Sequence, residues 1–87
     1  MSVRHALQMQ AAEDSQGITV TMSRAELIAL RELIAFMDFT GDLPSRSRGE
    51  DLVAGAFLRA ADPLIPELGT DGYGLTVEAA WSELAGT

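Results

Sequence analysis

The stretch Gly17–Phe39, GITVTMSRAELIALRELIAFMDF, constrains the fold more than any other part of the 87-residue chain. It opens with the one clean β-pattern in the sequence. Ile18, Val20 and Met22 alternate with Thr19 and Thr21, as in a half-buried strand. A helix start follows at once. Ser23 and Glu26 form an S-x-x-E capping box, flanked by Met22 and Leu27 at the staple positions. At about 100° per residue the helix carries two apolar strips. One holds Leu27, Leu30, Leu33, Ile34 and Met37; the other holds Ile28, Ala29, Ala35, Phe36 and Phe39. Arg24, Arg31 and Asp38 form a charged seam between them. A helix apolar on two sides needs cover on two sides, so this one is expected at the centre of the fold, ending at Thr40-Gly41-Asp42.

A strand also needs a partner for its backbone groups. Three homes are open to Ile18–Met22. It could pair with an extended Tyr73–Val77, remain a solvated lead-in to the helix, or pair with its copy in a second chain. The third accounts for the strand and the two-faced helix together, because a symmetric ribbon would let two central helices cover each other. The expected fold is therefore mainly α, a small helical domain with one short N-terminal strand paired across a homodimer. Ile18, Val20, Met22, Ile28, Phe36 and Phe39 are the expected interface.

The rest of the chain reads as helices and turns. Residues 3–12, VRHALQMQAA, give a short helical pattern, and EDSQG a polar turn. Ser47 and Glu50 make a second capping box for a helix from about 48 to 61, with Leu52, Val53, Ala56, Phe57 and Ala60 on one face. Gly55 weakens this helix or marks a close crossing. Asp62-Pro63 stops it, and DPLIPELG forms an extra helical turn capped by Asp62 and ended by Gly69. Thr76 is the expected cap of a last helix whose Val77, Ala80, Trp81 and Leu84 face inward. One domain results: an arm over 1–17, a strand–helix–helix core over 18–61 and an acidic helical segment over 62–87.

Composition narrows the function. Cysteine is absent, which removes disulfides and thiolate metal sites. Without such staples, a domain this small gains from oligomerisation. The net charge is −7, unevenly spread: residues 1–49 hold five arginines against six acids, residues 50–87 one arginine against seven. That balance opposes nucleic acid and membrane surfaces in the second half. No apolar run approaches the length of a membrane span, and MSVRHALQMQ lacks a signal-peptide centre, so the expected address is the cytoplasm. All six basic residues are arginine, the bias of a GC-rich bacterial genome.

No nucleophile–base pair, cofactor loop or metal set is visible, and no enzyme, cofactor or metal is expected. His5 is alone; Glu13-Asp14 and Glu50-Asp51 are sequence neighbours that point apart; TDGYG lacks the ligands of a calcium or phosphate loop. Arg46 and Arg48 form the one local basic spot, which contacts an acidic partner or phosphate, or simply solubilises a loop. Trp81 is either core or the anchor of a partner. The expected activity is regulatory binding, with an acidic second half engaging a basic or apolar protein.

The segment GITVTMSRAELIALREL…SRSRGEDLVAGAFL resembles a ribbon-helix-helix protein over residues 18–61: an alternating strand, a helix opened by a capping serine, a loop and a second helix opened by Ser-Arg-Ser. The resemblance implies that Thr19 and Thr21 point from the ribbon into a DNA major groove. Ser45, Arg46, Ser47 and Arg48 would approach phosphates. It also implies a repressor or an antitoxin whose remaining chain binds a toxin.

Overall fold

The computed structural model describes residues 7–41 and 44–86. The order of elements is β1 (Gln10–Asp14), β2 (Gly17–Thr21), α1 (Arg24–Thr40), α2 (Arg48–Ala61), a 3-10 turn (Asp62–Leu64) and α3 (Tyr73–Ala85). The fold is mainly α with a short β element at its N-terminal end, as the patterning predicts.

The strand finds a partner that none of the three alternatives contained. β1 and β2 form an antiparallel hairpin in which Ala11 faces Val20 and Glu13 faces Ile18. The helix expected over residues 3–12 is thereby corrected: residues 10–12 are strand, and residues 3–6 lie outside the described residues. The polar turn is the hairpin loop. Asp14 Oδ1 accepts the Gln16 N–H at 2.7 Å, an Asx turn, and Gly17 takes a φ of 133° that L side chains resist. Tyr73–Val77 is helical, which removes the first of the three alternatives.

α1 begins as read. Ser23 Oγ accepts the Glu26 N–H, and the Glu26 carboxylate accepts the Ser23 N–H. It ends at Gly41, whose left-handed φ of 77° turns its N–H back to the Met37 and Asp38 carbonyls. One side of α1 is covered within the chain. Ala25 and Ile28 meet Ile65, Val77 and Ala80 in the buried core, with Leu27, Leu68, Tyr73 and Leu84 packed around it.

The charged seam holds this arrangement. Arg24 donates to the Leu64 carbonyl and pairs with Glu67. Arg31 donates to Asp62 Oδ1 at 2.9 Å and to Glu32 Oε1 at 2.9 Å. Two acids of the second half thus clasp the seam and press Ile65, the most deeply buried large side chain, onto α1. This corrects the expected role of Asp62: it caps no helical turn, and its carboxylate serves Arg31 instead.

α2 spans the expected 14 residues, but of its expected inner face only Phe57 is half-buried. Leu52, Val53, Ala56 and Ala60 are exposed, and only Ala61 is buried. Ser47 caps the helix, yet Glu50 closes no box with it. The Glu50 carboxylate reaches one residue further, to the Arg46 N–H and guanidinium. Nothing crosses close to Gly55; the Arg59 guanidinium lies over it. α3 starts a turn before Thr76, whose hydroxyl donates back to the Gly72 carbonyl rather than capping.

Candidate interaction surface

Three apolar regions remain uncovered. The first is the hairpin, every residue of which is exposed, Ile18 to 69%. Ile18 and Val20 share a face with Ala11 and Glu13, and Thr19 and Thr21 share the other with Ala12 and Gln10, as the cross-strand register requires. A two-stranded hairpin alone in water is marginal. The Glu26 carboxylate of α1 holds the segment that leads into this one. Glu26, itself only 5% exposed, accepts the Gln8 N–H at 2.9 Å and the Met9 N–H at 3.1 Å in addition to that of Ser23. Those backbone donors, Ser23 first, hold its pKa below the ordinary carboxylate value.

The second region is the C-terminal end of α1, where the face that carries Ile28 runs on past the core. Phe36 is 66% exposed and Phe39 89%. With Ala29, Glu32 and Leu33, Phe36 lines an open groove of about 350 Å³ whose far wall is Trp81 of α3. Trp81 is 53% exposed, so it is not core. Glu32 sits between wall and core: its Oε1 takes both the Arg31 guanidinium and the Tyr73 hydroxyl. Burial, aided by that bond to Glu32, pushes the Tyr73 hydroxyl up to about 12. Arg31, held chiefly by its bond to Asp62, stays protonated well above any relevant pH.

The third region is the outer stripe of α2, continued by a shallow groove in which Ile34, Pro44, Val53 and Ala54 come together.

The expected interface residues therefore divide. Ile18, Val20, Phe36 and Phe39 are exposed; Met22 is half-buried. Ile28 is corrected: at 3% exposure it is core and unavailable to a partner. Thr19 and Thr21 are exposed ahead of the N-terminus of α1. Ser45 and Ser47, on either side of Arg46, border the groove at Ile34, in the C-terminal half of that helix. Within one chain the structure does not join these two sets. Arg46 is neutralised by Glu50, whose pKa it lowers, whereas Arg48 is exposed with no ionic partner among the described residues. Leu33, placed on an apolar strip but not in the expected interface, is exposed, and patterning missed the role of Glu32. Among the described residues no group of three His, Asp or Glu could hold a metal, and no helix is long and apolar enough to cross a membrane. His5 lies outside the described residues.

No protein-family model matches the chain, and neither does any curated protein or solved structure.

Proposed function

We propose that this is a small, non-enzymatic regulatory protein of the bacterial cytoplasm that works by self-association and by engaging a protein partner. The observation that carries this reading is the uncovered apolar surface. Ile18, Val20, Leu33, Phe36, Phe39, Leu52, Val53 and Trp81 are all about half exposed or more. Apolar area costs about 25 cal/mol per Å² left in water, and contiguous exposed patches of this kind mark interaction sites. In the self-associated form another copy covers the aromatic end of α1 and leaves less of the hairpin in water. The remaining acidic surface on α2 and α3 faces a partner of basic character. Sedimentation velocity across nanomolar to micromolar concentration tests this: a dimer dissociating on dilution is expected, and a monomer throughout would sink it.

A second reading, the ribbon-helix-helix DNA binder, draws on one observation. Arg48, with no ionic partner among the described residues, stands at the N-terminus of α2, where phosphate is favoured, and Thr19 and Thr21 are exposed on one face of the hairpin. Against it, the strand that would read DNA already has an in-chain neighbour, and Arg46 is committed to Glu50. A mobility shift at low salt that Arg48→Ala abolishes would favour this reading; no shift would remove it.

A further inference from the structure

We propose that the groove between α1 and α3 receives Arg59 of a second copy of this chain, so that the α2 stripe of each molecule seats against Leu33, Phe36 and Trp81 of the other. The inference rests on the self-association reading above and specifies its chemistry.

The groove asks for a cation. Arg31 is shared between Glu32 and Asp62, so one guanidinium faces two carboxylates and a negative charge is left over. Glu32 Oε1 is occupied by Arg31 and Tyr73, while Glu32 Oε2 has no partner among the described residues. Glu32 lines the groove beside two aromatic rings, Phe36 and Trp81. Ring faces attract guanidinium, tryptophan most strongly, and a carboxylate at the same spot adds a charge-assisted hydrogen bond.

The chain carries the matching ligand. Arg59 is the only basic residue between 50 and 87, amid seven acids, and forms an ion pair with none of the described ones. Its Nη1 reaches over Gly55, 3.3 Å from where a Cβ would stand. It borders the exposed stripe of Leu52, Val53, Ala56 and Ala60. An apolar stripe with a guanidinium at its edge complements an apolar groove with a carboxylate at its edge. Both are unfilled in one chain. Under two-fold symmetry each copy gives one α2 and receives one, so the contact is made twice.

The chain exposes 6530 Å², whereas a monomeric protein of this mass exposes about 5000 Å², so the molecule as a whole has surface to bury on the scale of the roughly 800 Å² that each partner contributes to a stable interface.

Trp81 is the sole tryptophan, so its fluorescence reads the groove directly. Diluting the full chain should shift Trp81 emission to the red over the same concentration range in which sedimentation shows dissociation. Arg59→Glu should weaken the dimer at least ~10-fold, the factor that follows from about 1.4 kcal/mol, and leave Trp81 at its red position at concentrations where the wild type is blue. Arg48→Glu changes the net charge by the same amount and should leave the dimer constant unchanged. A dimer that persists in Arg59→Glu, or a Trp81 emission indifferent to dilution, overturns the proposal while leaving self-association intact. A wild-type chain that is monomeric throughout overturns both.

Discussion

Glu26 does more than the capping motif foretells. S-x-x-E announces a reciprocal pair, and the pair is there; the same carboxylate also receives the Gln8 and Met9 N–H groups. Spacing along the chain cannot reveal that, because the extra donors lie 17 and 18 residues away. Glu26→Gln should therefore free residues 8 and 9 while leaving most of α1 intact. Hydrogen exchange should show faster exchange of those two amides, with unchanged protection at Leu30 to Ile34. The pH dependence has a definite sign. A carboxyl whose folded pKa lies below its unfolded one stabilises fully above the unfolded value, ordinarily 4.5, and that contribution disappears as pH falls through the folded pKa. Glu50 and Glu67 shift the same way, each through hydrogen bonds from arginine first. Acid unfolding should thus set in below pH 4.5, and Glu26→Gln should make that limb shallower; an identical acid limb in the variant would refute the assignment. Ile28 and Phe39, both placed on one apolar strip by periodicity, make a sharper contrast. Ile28→Ala empties the packed core and should cost about 2–5 kcal/mol in denaturant unfolding. Phe39→Ser removes a side chain that is 89% exposed and should change monomer stability by no more than about 0.5 kcal/mol while weakening association.

Among the elements, α1 and α2 were readable almost to the residue because each has a serine cap, a regular apolar period and a hard stop at Gly41 or Asp62-Pro63. β1 was not. Gln-Ala-Ala-Glu-Asp contains no β-branched or aromatic residue, and its alanines favour helix; only the register of β2 and the Asx turn at Asp14 make it a strand. Ile65 escaped as well, since a residue between two prolines in an irregular segment has no periodicity to betray its burial. The start of α3 was misplaced because threonine in a first turn bonds backward to a carbonyl as readily as it caps. The site was legible as composition and illegible as geometry. Periodicity marks an apolar face on α2, yet it cannot say how much packs there: Phe57 is half-buried, while Leu52, Val53, Ala56 and Ala60 stay exposed. Caps carry measurable weight here: Ser23→Ala should cost about 1 kcal/mol, and more than Ser47→Ala, since only the Ser23 box is closed on both sides. Equal losses in thermal unfolding would contradict that ordering.

The whole molecule is too open for its size. Its radius of gyration is 14.5 Å, against about 12 Å for a compact chain of this length, and its extents of 46 × 39 × 22 Å describe a flat body whose strand residues are all exposed. The N-terminal half of α1 is met by Ile65 and α3, whereas Leu33, Phe36 and Phe39 toward its C-terminal end stay exposed, and α2 exposes Leu52, Val53, Ala56 and Ala60. A second copy supplies what is missing without new sequence, because every uncovered face is duplicated. Stability must then depend on protein concentration, since association favours the folded state by mass action. The midpoint of thermal unfolding should rise steadily as concentration increases from about 1 to 100 μM, and the rise should shrink in Arg59→Glu and in Phe39→Ser. A midpoint independent of concentration would mean that the chain tolerates its exposed aromatic surface alone, and the apolar faces would then have to be explained by a different protein.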